Sequence, residues 1–422
     1  MKHRDLKINF NLIPISIFFL WYLLPIMRYY FQNNLANITM ILLIGIWLLI
    51  VFIRLKNKKV FFLKYLLFVI ILILIYVFNM IFRASQGNIG DFIKMGIMFW
   101  FPAFVFYFYY LLEDKKSIKQ LIILVIVCLI ATAIPTIIEL FKDSSSLRWM
   151  AYYASDRLDS QIIKGKSNIG DYTFIYGIIF MIPIIFYYMS KKNNNKKLIN
   201  YLFLGIILFL IVKASFSIAI FMSFVIIVMC IYSISLFKKT IPKIVLTILG
   251  ILVIAIVTLF PKVLIDFSYH VENEFVSSRI REIANVFIES SEVEGDLSSR
   301  LVLYNRSLNT FKNNVLFGIG GYYYVENVGI GYHSQLLDDM ARYGIISLIS
   351  IILFLIYYKE FLTSLSAGNK MIKSIAVIEI IAYIILMIVN PIYQSAWIST
   401  IFLCILPSII FLEKGNEYEK SS

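Results

Sequence analysis

Charge is scarce in this sequence. Charged residues make up 15% of its 422 positions, against roughly a quarter in a typical soluble domain, and that shortage argues against a water-soluble fold of this size. Cysteine is nearly absent. Cys128, Cys230 and Cys404 each sit inside an apolar run, with no CxxC pair and no neighbouring His, which excludes a disulfide framework and a thiolate metal site. His3, His270 and His333 are scattered and no carboxylate cluster has ligand spacing, so neither a metal nor a cofactor is expected. No internal repeat suggests an inverted-repeat transporter, and nothing alternates like the strands of a membrane barrel.

What the chain has is apolar length. It is 60% hydrophobic and 16% aromatic, with a mean hydropathy of +0.84, so lipid is the solvent for most of it. A spanning helix needs about 20 mainly apolar residues. Runs of that kind lie near 11–30, 36–53, 60–82, 92–112, 118–140, 171–190, 198–212, 216–236, 243–262, 337–358, 371–390 and 393–412. They predict an all-α polytopic membrane protein with about twelve transmembrane helices, because helices satisfy their own backbone groups in lipid. The first run follows the basic segment Met1–Lys7 but lacks a small-residue cleavage site, so it is expected to be a retained span and not a secretion signal.

The net charge of +14 is carried mostly by short loops: RLKNKK at 54–59, EDKKSIKQ at 113–120, SKKNNNKK at 190–197, FKKTIPK at 237–243 and the stretch from Lys359 to Lys373. The alternate short loops, FQNNLAN at 31–37 and NPIYQSA at 390–396, carry no charge. By the positive-inside rule the Lys-rich set and both termini are cytoplasmic. Bases so distributed exclude a nucleic-acid partner and leave membrane lipid as the expected one.

Two loops on the other side are long, Phe141–Gly170 and Val263 to about Gly331, and long loops in compact proteins are usually functional. The expected organisation is residues 1–262 with the first nine spans and an extracytoplasmic loop near 141–170, residues 263–336 as a large extracytoplasmic loop, and residues 337–422 with the last three spans and a cytoplasmic tail. From 263 to 331 nine acidic residues face five basic ones, so the larger loop departs from the basic cytoplasmic set. Ser277 or Ser278 is placed to cap one amphipathic helix with Ile280, Ile283, Ala284, Phe287 and Ile288 on a face. Ser298 or Ser299 is placed to cap a second, with Leu301, Tyr304, Leu308 and Phe311 on a face.

The stretch SSRLVLYNRSLNTFKNNVLFGIGGYYYVENVGIGYHSQLLDDMARYGIISLI, from Ser298 to Ile349, carries the most chemistry. Arg300 opens an amphipathic helix, Gly318-Ile319-Gly320 forms a turn, His333-Ser334 follows, and Gly344 interrupts a helix entering the membrane. This arrangement resembles the signature region of the O-antigen and capsular polysaccharide polymerase and O-antigen ligase superfamily. The layout is similar as well, with the largest loop between the ninth and tenth spans. Ser rather than Asn after His333 looks especially like the capsular repeat-unit polymerases. The sequence departs from the pattern at Asn314-Val315, where the family usually has Pro before the Gly-rich turn. It departs again at Lys213-Ala214-Ser215-Phe216-Ser217, where a Ser-Arg pair is often found.

The resemblance implies a GT-C-type glycosyltransferase architecture with the long loop folded over a cavity at the outer leaflet of a bacterial cytoplasmic membrane. It implies a polymerase that transfers a growing chain from undecaprenyl diphosphate to an incoming lipid-linked repeat unit, with a chain-length regulator as partner. The residue chemistry agrees in kind. Releasing a sugar from a diphosphate needs fixed cations, and Arg offers a planar fork of donors. Arg300 is the first candidate for that task and Lys213 the second. The acceptor hydroxyl needs a base usable near neutral pH, which an imidazole at His333 supplies; Asp338 and Asp339 are the alternatives. Tyr323, with Tyr322 and Tyr324, has rings that stack on sugars, and Arg148, Arg157, Lys164 and Lys166 are suited to an anionic substrate.

Each assignment has a plainer rival. His333 also fits a residue satisfied by backbone at a helix start, and Arg300 a cation on a lipid headgroup. Lys213 also fits a snorkelling side chain, and the tyrosines an interfacial belt. Asp338 and Arg342, four residues apart, most simply form a helix salt bridge. Glu379, inside the eleventh run, reads either as functional or as bonded to a neighbouring helix. A ligase-type glycosyltransferase and a carrier of lipid-linked sugar remain the alternatives to the polymerase; the concentration of polar residues outside the membrane favours an enzyme.

Overall fold

The computed structural model describes residues 10–31, 34–56, 63–82, 97–143, 146–147, 167–191, 197–238, 261–271, 277–278, 280–281, 296–320, 329–366 and 368–421. Every regular element among them is helical. In chain order these are α1 (Ile13–Leu23), α2 (Pro25–Tyr30), α3 (Asn34–Leu55), α4 (Lys64–Phe82), α5 (Phe99–Leu111), α6 (Lys115–Lys142), α7 (Tyr172–Ile179), α8 (Met181–Ser190), α9 (Lys197–Ala214) and α10 (Ser217–Lys238). Then come α11 (Pro261–Tyr269), α12 (Asp296–Asn313), α13 (Gln335–Tyr343), α14 (Ile345–Leu365), α15 (Lys370–Val389), α16 (Ala396–Thr400) and, after a π-helical turn at Ile401–Ile405, α17 (Leu406–Ser421).

Seven segments are long and apolar enough to cross a membrane: Ile38–Leu55, Lys115–Lys142, Tyr172–Ser190, Lys197–Ala214, Ile345–Leu365, Lys370–Val389 and Ala396–Lys414. Four shorter apolar helices, Ile13–Leu23, Lys64–Phe78, Phe99–Leu111 and Ile218–Ile234, accompany them. The chain is thus a multi-pass membrane protein. Among the described residues the expected dozen becomes these seven and four, and the run at 243–262 lies almost wholly outside them. The tenth span starts at Ile345 and not near 337, because Gly344 separates the membrane helix α14 from the short α13.

The helices cluster into two units. One comprises Met1–Leu63, Trp100–Gly177 and Ser395–Ser422. Its interior is aromatic: Trp47 packs edge-on against Phe101 and Phe108, and its indole N–H donates to the Tyr109 hydroxyl at 2.9 Å. Asp114 caps α6 by accepting from the Ser117 N–H at 3.0 Å, and its other oxygen meets Arg54 at 2.7 Å. Pro135 lies inside α6. It has no N–H to give Ala131, four residues back, so that carbonyl is orphaned. Asn168 fills the gap, its amide donating to the Ala131 carbonyl at 2.9 Å and its oxygen accepting from the Ile26 N–H of α2 at 3.2 Å. Thr136 repairs the same region, donating to Thr132 O at 2.6 Å and accepting from the Gly170 N–H at 2.8 Å.

The second unit comprises Lys64–Phe99 and Ile178–Gln394. Helices α4 and α14 pack through Tyr65, Phe354, Tyr358 and Phe361, with Tyr65 ring centroids 5.1 Å from Tyr358 and 5.0 Å from Phe361. Helices α10 and α15 pack together and share a Ser233–Ser374 hydrogen bond of 2.6 Å. Glu379 of α15 is fully buried, and neither carboxyl oxygen has a hydrogen-bond partner among the described residues.

Because Asn168 bonds at both ends and holds a left-handed φ of 53°, Asn168→Ala should lower stability by about 1–3 kcal/mol. Denaturant or thermal unfolding in detergent checks this; an unchanged midpoint would mean that water repairs the Pro135 break.

Candidate functional site

The motif region folds into one module within the second unit. Helix α12 begins at Asp296, which places Ser298 and Ser299 inside its first turn and not at its cap. The face it buries is also not the expected apolar one. Ser307 and Thr310 are fully buried and Tyr304 partly so, while Leu301 and Val302 are about 61% exposed. The reason lies in the partner helix. Gln335, Asp338, Asp339 and Arg342 of α13 are all buried, and buried polar groups need hydrogen bonds that an apolar face does not offer.

Asp338 shows how they are met. Its Oδ1 accepts from the Ser307 hydroxyl at 2.7 Å and from the Tyr332 N–H at 3.2 Å, and Ser307 in turn accepts from the Gly331 N–H at 2.8 Å. The expected salt bridge with Arg342 is not formed; among the described residues the one ion pair is Arg54–Asp114. The Asp338 carboxylate is held instead by α12 and the 331–333 turn, and the Arg342 guanidinium lies over the Tyr332 ring, 5.1 Å from its centroid. Tyr332 itself has a left-handed φ of 60°, a strained state that its surroundings must enforce.

His333 is half-buried on this turn. Its Nδ1 lies 3.1 Å from the Gly331 carbonyl. A carbonyl only accepts, so this bond requires Nδ1–H and leaves Nε2 as the basic nitrogen. Ser334 caps α13, its hydroxyl accepting from the Leu337 N–H at 3.3 Å.

The glycine turn serves the other end of α13. Ile319 N–H bonds the Ala341 carbonyl at 2.9 Å and Gly320 N–H the Arg342 carbonyl at 2.8 Å, so these amides cap a helix C-terminus and do not cradle phosphate. Gly318 and Gly344 have φ of 62° and 73°, and a Cβ on either would collide with backbone, at Arg342 and Leu316 respectively. Glycine is required at both on conformational and on steric grounds.

Arg300 is half-buried on the α12 face that also carries Tyr304 and Ser307. Its charge acts on the Tyr304 hydroxyl, which donates to the Val389 carbonyl at 3.0 Å. One guanidinium nitrogen, Nη1, is buried with no hydrogen-bond partner among the described residues. The structure therefore brings Arg300, His333, Asp338 and Arg342 onto a single module. Lys213 is exposed at the end of α9, and no hydrogen bond or ion pair among the described residues joins it to them. Tyr323 lies outside the described residues, as do Arg148, Arg157, Lys164, Lys166 and most of the helix expected after Ser277.

Residues not singled out from sequence complete the site. Gln335 donates through its backbone N–H to the Asn390 carbonyl at 3.1 Å and through Nε2 to Asp339 at 3.0 Å, and it accepts from the Tyr393 N–H at 3.2 Å. The uncharged short loop at 390–396 is thereby locked to α13 through Asn390 and Tyr393. A Gln directly after a His-Ser pair was the available signal. Burial pushes the Asp339 carboxyl up to about 7, against the opposing effects of Arg342, Tyr393 and Gln335. Burial likewise raises Asp338, opposed by Ser307, Arg342 and backbone amides.

Residues 202–352 match the sequence model of the O-antigen ligase family, a stretch that runs from α9 through the whole module into α14. No curated protein matches the chain.

The raised carboxyl has a consequence for stability. An exposed Asp titrates at about 4, so the folded value of Asp339 is the higher one. Its contribution is then fully present below the unfolded value and is lost as pH rises through about 7. Thermal unfolding of the parent in detergent should show a loss of stability over that interval, and Asp339→Asn should flatten it. Equal pH slopes for the two proteins would show that Asp339 is not buried as drawn.

Proposed function

We propose that the protein is a glycosyltransferase of the outer face of a bacterial cytoplasmic membrane, joining undecaprenyl-diphosphate-linked oligosaccharide repeat units into polysaccharide. The observation that carries this reading is the coincidence of the O-antigen ligase match at 202–352 with the segment in which His333 and Arg300 are brought onto one module. The orientation follows from the Lys-rich loops, which put both termini in the cytoplasm and the 263–336 segment outside. A GT-C-type arrangement, with membrane lipid around the spans and a chain-length regulator as partner, is what the family resemblance adds.

In this reading the acceptor hydroxyl attacks the anomeric carbon of the lipid-linked donor as the bond to diphosphate breaks. His333 Nε2 takes the hydroxyl proton, with Nδ1–H held by the Gly331 carbonyl to keep that nitrogen free. Charge developing on the leaving diphosphate is met by Arg300, whose partly unused fork suits it. Arg342, Asp338 and the tyrosines around 323 would serve substrate binding and the shape of the turn, and Lys213 would contribute only by approaching from α9.

A ligase-type transfer to a different acceptor is the second reading, favoured by the match of residues 202–352 to the O-antigen ligase family. Incubating the purified protein with a lipid-diphosphate-linked repeat unit separates the two. A ladder of longer lipid-linked chains supports the polymerase; product only on adding a second glycolipid acceptor supports the ligase; substrate that crosses liposomes without lengthening sinks both.

His333→Ala should insert and accumulate normally yet form no product above background, and normal product would remove His333 from the mechanism. Arg300→Lys should slow product formation by about 10-fold or more, because a point charge cannot reproduce the planar fork. Near-parental rates would indicate generic lipid contact.

A further inference from the structure

Asp339 cannot touch a substrate. It is 1% exposed, and its carboxyl is bonded to Gln335 of the same helix. Gln335, two residues after His333, donates to it at 3.0 Å and simultaneously clamps Asn390 and Tyr393. The Tyr393 hydroxyl lies near enough to favour its ionised form, and the charges of Arg342 and Asp338 act on it from the same helix. From the other elements packed around it, Tyr76 of α4 and Tyr383 of α15 act on it, and the Tyr76 ring lies tilted to Tyr343 with centroids 4.5 Å apart and edge-on to Tyr393 at 6.4 Å. Arg342 supplies the cation that acts on this carboxyl.

We infer that Asp339 is a positioning residue for the transfer reaction, acting through Gln335 on the 390–393 segment and through Arg342 on the Tyr332–His333 turn, and that it must be neutral to do so. The assignment rests on the glycosyl-transfer reading above. The charge balance explains the requirement. Asp338 and Arg342 together are neutral, so a neutral Asp339 leaves the guanidinium to lie over the Tyr332 ring. An ionised Asp339 gives two buried carboxylates to one guanidinium, draws Arg342 inward, and withdraws support from Tyr332, whose left-handed φ of 60° depends on its surroundings. The titration of this carboxyl at about 7 puts the change within the working range of the site.

The test is the pH dependence of product formation by the full-length protein in detergent, with a lipid-diphosphate-linked repeat unit as probe. The parent should lose activity about 10-fold per pH unit once Asp339 ionises. Asp339→Asn, which keeps the shape and cannot ionise, should stay within about 3-fold of the parent at low pH and lose that falling limb. Tyr393→Phe removes a hydroxyl that favours the ionised form, so it should move the limb to higher pH and not abolish it. Profiles of parent and Asp339→Asn that superimpose would overturn the inference while leaving the glycosyl-transfer reading intact. An Asn variant inactive at every pH would also overturn it, since a neutral group would then be insufficient. A parent with no activity on this probe, together with no rescue by a second acceptor, removes the reading on which it rests.

Discussion

Three ionisable side chains are buried on the nine residues of α13, and the rest of the module is arranged to make that tolerable. Burying an ionised carboxylate without partners costs several kcal/mol, more than a short helix returns by packing. Every neighbour of α13 accordingly brings polar atoms. Helix α12 presents hydroxyls, the 331–333 turn presents backbone amides, the 390–393 segment presents a carbonyl and an amide, and α4 and α15 present phenols. The module that carries His333 and Arg300 is thus fixed from several directions by hydrogen bonds, in the manner that preorganised sites require.

The ends of α13 follow from the same need. A helix this short has nearly all of its terminal groups outside its own hydrogen-bonding pattern. Ser334 and the Gly318–Gly320 turn satisfy them, one at each end. This gives the His-Ser pair a division of labour: His333 offers chemistry and Ser334 offers a cap. Asn caps helices as well as Ser does, so the residue after His333 bears on helix capping and is weak ground for separating a polymerase from a ligase. The choice between those two belongs to the acceptor side of the reaction.

Much of the fold was legible in the sequence because membrane spans are written in composition alone. Length and hydropathy placed α3, α6, the α7–α8 segment, α9, α10 and α15 within a few residues, but not the region around Gly344. There the apolar count ran through Asp338, Asp339 and Arg342, and a window average cannot see that three ionisable side chains will turn inward and a glycine will end the helix before the membrane begins. The site was legible in its parts and not in its contacts. His333 and Arg300 stand out by residue type within a recognisable motif. Ser307, Gln335 and Tyr393 do not, since Ser, Gln and Tyr are common and their importance comes from tertiary pairing across as many as 58 positions, as between Gln335 and Tyr393. The face of α12 was misread for a related reason: an amphipathic pattern predicts an apolar interface only when the partner is apolar.

The same logic operates in the other unit, where no charge is involved. Pro135 leaves one carbonyl of α6 without a donor, and in lipid no water is at hand to replace it. Asn168 supplies the donor from outside the helix, at a left-handed residue that only a few side chains tolerate. A soluble protein would leave such a kink to solvent. Here the repair ties the start of α2 and the 167–170 segment to the middle of a spanning helix, so a backbone defect becomes an anchoring point. Glu379 marks the limit of this rule: both of its oxygens are buried in a spanning helix without a hydrogen bond among the described residues. Each missing hydrogen bond costs more in lipid than in water, so the spanning helix carries at Glu379 a cost that the repair at Asn168 avoids at Pro135.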